Sequence, residues 1–464
     1  MIEFGEYPNI WKIEFVTPVP KEYPPPTPEK LRKIAVTKNF SKIVEHIIAE
    51  FMLLDMKDSR DPSQYGNEKG LSVQHYLVNM LNKILTALDK NSEKEAYAVI
   101  ANLIDWNQAF DRQCPKLIIE SFIENGVRPS LIPVLVNYFQ DRKMFVKWHG
   151  ILSTERKLPG GGPQGSTVGL ISYMSQSTTS ANFVPPDHRY KFVDDLTILE
   201  IINLVSVGIS AYNFKTHVAS DIGIDQYFIS PQNLESNQYL KKISEWTDSK
   251  RMKLNGEKSS LMIFNETKNY QVTTRLELEN SFLNILEDTK LLGVVISADL
   301  TWRKNTKRIV QKSYQRIIIL KKLFEFNVPE VDLLNIYILF IRSMLEQSCV
   351  VWHSSITQEE ETDLERVQKV CLKIILKEKY ETYEKALERT KLEKLVDRRT
   401  KLCLKFAKKC TENEDTKSMF PINPSLHSME TRKHEKYYVQ KSKTERLAKS
   451  AIPYLQRLLN LHCT

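Results

Sequence analysis

Glycine and cysteine are both scarce in this chain. Only 14 of the 464 residues are glycine, so the segment LPGGGPQGS stands out. The six cysteines show no C-x-x-C pair and no framework spacing, so we expect free thiols in a reducing compartment rather than a disulfide scaffold. Cys403 and Cys410 lie seven residues apart in a helical pattern and are predicted to pack in the core. No cluster of Cys and His with zinc spacing occurs near the C-terminus.

A long uninterrupted apolar run is also missing. The longest apolar stretch, VDLLNIYILFIRSMLEQSCVVW, contains Arg342 and Glu346, so it is predicted to be an amphipathic core helix and not a membrane span. The chain opens with no basic segment followed by an apolar one, which argues against a signal peptide. We therefore expect a protein that is neither bound to a membrane nor secreted.

The composition is that of a globular protein. Hydrophobic residues make up 42% and charged residues 27%, which excludes a disordered chain, and the length allows two to four domains. The net charge of +9 and the pI of about 8.9 mildly favour a polyanionic partner without identifying one.

Hydrophobic periodicity predicts both helices and strands. Helices are predicted over 41–56, 71–89 and 234–255, and from Lys304 to about Cys410. The first of these rests on the spacing of Ile43, Ile47, Phe51 and Leu54. Strands are predicted in YAVIANLID, KMFVKWHG and TKLLGVVIS, and KFVDDLTILE is predicted to be a buried strand or a strand-turn-strand unit. TENEDTKS is predicted to be a linker.

Acidic side chains lie at the ends of two predicted buried strands. Asp105 ends YAVIANLID, and Asp194 and Asp195 lie side by side in KFVDDLTILE. Adjacent buried carboxylates are costly unless a positive charge neutralises them. If the two strands are neighbours in one sheet, the three carboxylates converge, and oxygen ligands select Mg²⁺ or Mn²⁺. The sequence therefore predicts a site for two divalent cations that serve a phosphoryl displacement.

Five strings in order, LIDWNQAFD, GGPQGS, FVDD, MKLNGEKS and KLLGV, resemble successive motifs of the reverse transcriptase palm. They are most similar to the polymerases of non-LTR (LINE-type) retrotransposons. The resemblance implies an α+β right-hand polymerase with a ferredoxin-like palm, an antiparallel sheet covered by helices. It implies fingers over 1–96, a palm over 97–302, a helical thumb and connection region over 303–412, and a basic C-terminal tail over 413–464.

The resemblance also implies roles for individual residues near the metals. Asp105 and Asp194 match the metal ligands of the family, and Asp195 matches their neighbour, which binds metal more loosely or shapes the site. Phe110 matches the aromatic residue that crowds the sugar 2′ carbon and rejects a ribose hydroxyl, although core packing is an open alternative. Asp111 is expected to cap the helix that starts near Pro115.

Other matched residues are expected to bind nucleotide or primer. Gln164 and Gly165 match the floor under template and nucleotide, and Lys258 matches a lysine near the leaving pyrophosphate, with an ordinary surface lysine as the alternative. Lys21 and Arg32 lie where the fingers of the family grip the triphosphate. Leu292 and Gly293 match the hairpin that steadies the primer end, although core packing explains them nearly as well. Trp302, Trp352 and Tyr437 are placed to stack on bases but are more simply explained by packing.

The function implied is RNA-directed DNA polymerisation from deoxynucleoside triphosphates. The expected partners are an RNA template and a DNA primer or RNA–DNA hybrid held by the basic helices, inside the cell in nucleus and cytoplasm. Two departures stand out: Glu68 replaces a residue that is commonly basic, and Phe192 replaces the commoner tyrosine.

By the same resemblance, we expect the chain to start within the fingers and to lack the N-terminal endonuclease of the family. The main alternative is therefore a truncated, inactive retroelement relic that only binds nucleic acid. A metal-dependent phosphohydrolase is disfavoured, because GGPQGS and Phe110 would then have no task.

Overall fold

The computed structural model describes residues 1–20, 27, 31–92, 94–158, 160–163, 165–206, 225–266, 270–423 and 436–462. Within them the strands are β1 (Ile13–Pro20), β2 (Leu31–Val36), β3 (Tyr97–Ile104), β4 (Lys143–Trp148), β5 (Ile151–Leu152), β6 (Arg156–Lys157), β7 (Arg189–Phe192), β8 (Asp195–Asn203), β9 (Asp225–Phe228), β10 (Ser260–Phe264), β11 (Tyr270–Thr273), β12 (Glu277–Leu278), β13 (Ser281–Phe282), β14 (Asn284–Ile285), β15 (Asp288–Leu291) and β16 (Val294–Ser297). The α-helices are α1 (Asn39–Asp55), α2 (Val73–Leu88), α3 (Pro115–Glu124), α4 (Ile132–Phe139), α5 (Thr167–Ser177), α6 (Glu235–Ser249), α7 (Arg303–Glu325), α8 (Glu330–Ile336), α9 (Ser343–Glu346), α10 (Cys349–Trp352), α11 (Gln358–Leu376), α12 (Tyr383–Thr390), α13 (Leu395–Glu412), α14 (Glu445–Lys449) and α15 (Ala451–Leu461).

The central sheet has the strand order β14-β10-β3-β8-β7. Strand β3 lies in its middle and pairs antiparallel with β10 on one side and β8 on the other. Its sequence YAVIANLI is apolar almost throughout because both faces of the sheet are covered. The predicted α+β class, with an antiparallel sheet covered by helices, is confirmed.

A second sheet lies near the N-terminus and has the order β2-β1-β4-β5, with β6 also paired to β4. Strands β1 and β2 are antiparallel, whereas β1 and β4 are parallel. Strand β2 carries the exposed basic residues Arg32 and Lys33, and Lys33 pairs with Asp111 in the segment that follows β3. This sheet therefore forms one wall of the site described below.

Three predicted elements differ in detail from the structure. The helix predicted over 234–255 ends at Ser249, because the chain leaves the helical conformation where Arg251 takes a positive φ of 54°. TKLLGVVIS, predicted as one strand, is the β15–β16 hairpin, because Leu292 and Gly293 take positive φ angles of 47° and 91° and reverse the chain. Helix α1 exists as predicted, but all four residues of its predicted apolar row are exposed: Ile43, Ile47, Phe51 and Leu54. Its buried face contains Glu45, which is satisfied by hydrogen bonds, so this face did not need to be the most apolar one.

Residues 303–412 are helical, as predicted. Within them α8, α9 and α10 belong to one helical run, Glu330–Ser355, in which the π-helical segment Tyr337–Arg342 joins α8 to α9. By length and composition alone this run is long and apolar enough to cross a membrane, and 33% of its most apolar window is buried. Arg342 Nε lies 3.4 Å from a carboxylate oxygen of Glu346, and Arg398 of α13 donates to the same oxygen. The buried face of this run lies in the main hydrophobic core with α7 and α11, which supports the prediction of an amphipathic helix.

The described part of 413–462 folds back onto α2. The prediction of a linker in TENEDTKS was wrong, because Glu412 ends α13 and Thr416 is buried with its hydroxyl donating to the Cys410 carbonyl (3.0 Å). Helices α14 and α15 then pack against α2. The Asp89 carboxylate just after α2 accepts hydrogen bonds from the amides of Lys443 (2.9 Å) and Thr444 (2.8 Å).

The described cysteines are free, as predicted, and Cys403 and Cys410 are buried in the core. Cys463 lies outside the described residues. Trp302, Trp352 and Tyr437 are also buried, which confirms that they pack within the protein instead of offering exposed rings to bases.

Candidate active site

The β7–β8 hairpin carries two of the three predicted carboxylates. Phe192 pairs with Asp195, and Val193 and Asp194 form the two-residue turn between them. Ile104 at the end of β3 pairs with Leu196, so the following residue, Asp105, lies beside Asp195 on the neighbouring strand. Residues opposite one another in an antiparallel pair have Cβ atoms about 5 Å apart. The two strands are therefore neighbours in one sheet, which is the condition on which the predicted convergence of the carboxylates depended.

The electrostatics of the turn are those of a cluster of like charges. Desolvation, and then the charges of Asp194 and Asp105, raise the pKa of Asp195 to about 6. Desolvation also raises the pKa of Asp194, and the nearby Arg32 guanidinium partly opposes this. Both aspartates still reach solvent, and we call the open space between them and Arg32 of β2 the cleft. Asp105, Asp194, Asp195 and Arg32 are thus brought together from three strands.

The segment MKLNGEKS holds the end of β3 in place. The Asp105 amide donates to Ser259 Oγ (3.0 Å), and the Asp105 carbonyl accepts from the Asn255 amide (2.9 Å). Lys258 lies beside Ser259, and its backbone amide donates to Asn255 Oδ1 (3.2 Å) while the side chain is exposed. The motif therefore fixes the backbone of Asp105 and leaves the lysine near the cleft and in solvent.

The glycine-rich loop binds the segment that follows Asp105. The Gly162 amide donates to the Phe110 carbonyl (2.9 Å), and the Gly161 amide donates to the Gln113 carbonyl (2.8 Å). Gly161 has φ +91°, and a Cβ there would lie 3.1 Å from the Phe110 carbonyl oxygen, so this approach requires glycine. Phe110 is half-buried and packs on Tyr173 with ring centroids 5.0 Å apart.

Strand β2 closes the cleft from the N-terminal side. The Lys33 ammonium lies 3.1 Å from Asp111 Oδ2. Asp111 therefore does not cap α3 as predicted, since the N-cap position belongs to Cys114 and the carboxylate is bound to β2 instead. A Cβ on Gly165 (φ +114°) would lie 2.7 Å from the Ala35 carbonyl oxygen, so the loop also touches β2 closely. Gln164 and Lys21 lie outside the described residues.

The β15–β16 turn has different neighbours. The Gly293 carbonyl accepts a hydrogen bond from Arg308 of α7, and a Cβ on Gly293 would lie 2.9 Å from Gln347 Nε2. Leu292 is partly buried against the main core. Among the described contacts, those of Leu292 and Gly293 are with the C-terminal helices, and the structure does not join them to the aspartates.

Sequence reasoning missed a group of residues behind the aspartate turn. Gln64 accepts a hydrogen bond from the Val193 amide (3.0 Å). The buried Asp61 forms ion pairs with Lys191 (2.7 Å) and Arg189 (3.0 Å). The one available signal was Lys191, a charged residue at the start of an otherwise apolar strand pattern.

The aspartates are suitable ligands for a cation, although the described side chains are not already grouped as a metal site. Among the described residues no three His, Cys, Asp or Glu side chains are grouped closely enough to hold a metal ion. The donor set is nevertheless entirely carboxylate, which suits hard divalent cations. The raised pKa of Asp195 marks a place where a cation would relieve repulsion between like charges. The residues therefore fit a divalent metal.

No protein-family model matches the chain. The chain is 27% identical over 314 residues to the probable RNA-directed DNA polymerase from transposon BS of Drosophila melanogaster, covering 67% of this chain and 32% of that relative. It is 22% identical over 316 residues to the RNA-directed DNA polymerase from mobile element jockey of the same species, with the same shares of each chain. Its curated homologues are RNA-directed DNA polymerases of Drosophila non-LTR retrotransposons.

These polymerases confirm the resemblance predicted from the five motifs, and as polymerases they imply the general use of divalent metal. The match covers about two thirds of this chain but only about a third of the length of these polymerases. Among solved structures, the chain is similar to a telomerase from Candida tropicalis in complex with a fragment of telomeric RNA. That similarity has a TM-score of 0.42 and 11% identity and covers 98% of this chain and 62% of the telomerase.

Proposed function

We propose that this chain is an RNA-directed DNA polymerase that adds deoxynucleotides to a primer 3′-hydroxyl. The observation that carries the proposal is the convergence of Asp105, Asp194 and Asp195 beside Arg32 in a chain homologous to polymerases of this activity. In this assignment residues 1–96 act as fingers, 97–302 as palm and 303–412 as thumb, followed by the C-terminal segment 413–464.

The three aspartates would hold two divalent ions, Mg²⁺ or Mn²⁺. When bound, such ions lower the pKa of an attacking hydroxyl and stabilise charge on a transferring phosphoryl group. The contribution of the chain is to keep several carboxylates in one cleft despite their repulsion. The hydrogen bonds from Asp105 to Ser259 and from Asn255 to Asp105 hold one of them independently of metal.

Residues around the cleft would bind the incoming nucleotide. Phe110 is fixed by its packing on Tyr173 and would reject a ribose 2′-hydroxyl by its bulk. Arg32 on β2 is exposed near Asp194 and, together with Lys21, would bind the triphosphate. Lys258 would neutralise or protonate the leaving pyrophosphate. Gln164 and Gly165 would form the floor under the template and nucleotide.

Helix α7 would bind the backbone of an RNA–DNA hybrid. Arg308, Lys312 and Arg316 are spaced four residues apart, which places them about 6 Å apart along one helix face. Burial and the charges of Arg308, Lys290 and Arg316 lower the pKa of Lys312, so these four cations lie close together. A phosphate backbone would neutralise such a row, and Leu292 and Gly293 in the adjoining hairpin would support the primer end.

We also infer an intracellular location, in nucleus and cytoplasm, without secretion. Nucleic acid and deoxynucleotides are available there, and free thiols persist in a reducing compartment.

The deciding experiment is primer extension on a poly(rA)/oligo(dT) hybrid with labelled dTTP and Mg²⁺ or Mn²⁺. Wild type is compared with Asp194→Asn, which keeps the size of the side chain and removes its charge. We expect extension by wild type and a loss of at least about 10³-fold in the variant, with hybrid binding unchanged.

A second candidate is a protein that binds nucleic acid without polymerising. Its support is Glu68, whose carboxylate accepts a hydrogen bond from Arg60 (3.1 Å) while Arg60 also pairs with Asp415 (2.6 Å). A basic group in the N-terminal region is thereby tied up within the protein. Hybrid binding of equal strength by wild type and Asp194→Asn, with no extension by either, would establish this function in place of polymerisation.

A further inference from the structure

The turn that carries Asp194 contains a residue in an unfavourable conformation. Val193 has φ +57°, in the left-handed region, which a β-branched side chain rarely occupies. A relaxed two-residue turn places glycine or asparagine at such a position. The conformation of Val193 must therefore be held by contacts from outside the hairpin.

Those contacts come from residues 63–66, which run beside β7. The Tyr65 amide donates to the Lys191 carbonyl (2.8 Å), and the Lys191 amide donates to the Ser63 carbonyl (2.9 Å). Gln64 and Lys191 form a parallel bridge. Residues 63–66 thus extend the central sheet beyond β7 and stop at the level of the aspartate turn.

Gln64 makes the contact that reaches the turn itself. Its side-chain Oε1 accepts from the Val193 amide (3.0 Å) and also from the Gly66 amide (3.0 Å). Gln64 is buried, so water does not easily replace this acceptor. The side chain therefore joins the turn residue before Asp194 to the segment at residue 66.

Gly66 allows this close approach. A Cβ at residue 66 would lie 2.6 Å from the Val193 nitrogen and 3.0 Å from the Phe192 carbonyl carbon. Both of these atoms are backbone atoms, which cannot swing away as the end of a side chain can. Any other residue at 66 must displace the turn.

The start of the segment is anchored by buried charge. The Asp61 carboxylate pairs with Lys191 and Arg189 of β7, and all three side chains are almost wholly buried. The Lys191 ammonium also donates to the carbonyls of Ser177 (3.0 Å) and Thr178 (3.2 Å) at the end of α5. Segment, strand and helix are consequently locked to one another.

We propose that residues 61–66 are a clamp that sets the position of Asp194 and Asp195, and that Gln64 is its positioning residue. The proposal rests on the polymerase function proposed above. The clamp holds Val193 in the left-handed conformation, and this conformation aims the next residue, Asp194, into the cleft. Gln64 itself touches neither substrate nor metal.

The test compares Gln64→Leu, which removes the acceptor, with Gln64→Glu, which retains an acceptor oxygen. The same change at the exposed Gln140, Gln140→Leu, is the matched control. The first readout is hydrogen exchange of the Val193 amide, which donates directly to Gln64 and needs no activity. The second is the separation of kcat from KM for dTTP.

We expect Gln64→Leu to speed exchange at Val193 by about tenfold or more and to lower kcat by about 10- to 100-fold, with KM for dTTP little changed. Gln64→Glu should restore most of both values. Gln140→Leu should match wild type. Val193→Gly should lessen the effect of Gln64→Leu, because glycine adopts the turn without help.

Unchanged exchange at Val193 in Gln64→Leu would overturn the clamp. Faster exchange with unchanged kcat would remove its positioning role and leave the polymerase function intact. If wild type does not polymerise, the exchange readout still decides whether the clamp exists. If Gln64→Leu does not fold, then Gln64→Glu must keep Val193 exchange within about threefold of wild type, and faster exchange than that refutes the proposal.

Discussion

Two of the short hairpins in the described residues, β7–β8 and β15–β16, have turns that look alike and are held in different ways. In both, the first turn residue is not glycine and has a positive φ, Val193 in one and Leu292 in the other. In the β15–β16 turn the second residue is Gly293, whose carbonyl accepts a hydrogen bond from Arg308 of α7. In the β7–β8 turn the second residue is Asp194, and the turn is held by its contacts with Gln64 and Gly66. The turn that holds a β-branched residue at positive φ is thus the one that carries the proposed metal ligand Asp194, and the residue that contacts its backbone, Gln64, lies 129 residues from Val193 in sequence.

Replacing Gly66 of the clamp by alanine should disturb the β7–β8 turn far more than replacing Gly293 by alanine disturbs the β15–β16 turn. In Gly66→Ala the new Cβ meets the backbone of Val193, so we expect kcat for primer extension to fall by about 100-fold or more. In Gly293→Ala the nearest atom is the movable end of Gln347, so we expect a stability loss of about 1–2 kcal/mol and weaker hybrid binding, with a smaller effect on kcat. Steady-state extension and denaturant unfolding measure both, and equal losses of kcat would contradict the comparison.

Acid should lower the stability of the protein through His75 of α2, the helix that packs against β7. Helix α2 packs against β7, and its His75 contacts Cys410 (Nε2 to Sγ, 3.3 Å). Burial lowers the pKa of His75 from 6.5 to about 4, so the unfolded chain binds the proton more readily. The stability is therefore complete above pH 6.5 and falls as the pH drops towards 4, by about 2 kcal/mol at pH 5.

Denaturant unfolding of wild type and His75→Gln at pH 7.5 and pH 5 measures this effect. The variant should be less stable at pH 7.5 and should lose less on acidification. His46→Gln, at an exposed position on α1, serves as the control and should keep the wild-type pH dependence. A His75→Gln curve parallel to that of wild type would exclude the linkage.

The smallest contrast concerns one aspartate in each hairpin. Asp195 has a pKa raised to about 6 by burial and by Asp194 and Asp105, so its charge destabilises the fold above pH 6 and this effect is gone below about pH 4. Asp288 instead pairs with Lys304 (2.7 Å). In EDTA at pH 7.5 we expect Asp195→Asn to raise Tm by about 1–2 °C and Asp288→Asn to lower it slightly, both effects being screened by solvent. Shifts of the same sign would refute this contrast.

The residues of the site that sequence could predict are those that obey a local rule. Asp105, Asp194 and Asp195 each end or interrupt an apolar strand pattern, and their convergence follows once two strands are paired. The glycine-rich loop could be recognised from the sequence because glycine is scarce in the rest of the chain. Each of these signals lies within about ten residues of sequence, which is the range over which strand and turn patterns operate.

The clamp was invisible because its partners are far apart in sequence. Nothing local to Gln64 or Asp61 indicates that one meets Val193 and the other Lys191. Asp111 was misassigned for the same reason, since its partner Lys33 lies on β2, 78 residues earlier. The buried face of α1 was missed because it contains the charged Glu45, which is stabilised there by hydrogen bonds from Tyr7 and Ser166, both distant in sequence.

The return of the last helices to α2 has a consequence for biosynthesis. Asp89 and its partner Lys443 are 354 residues apart. At about 5–20 residues per second a ribosome needs roughly 20–70 s to make the intervening chain. During that interval the face of α2 that α14 and α15 will cover has no partner from them. In a nascent chain, this face of α2 therefore stays uncovered by α14 and α15 until those helices have been synthesised.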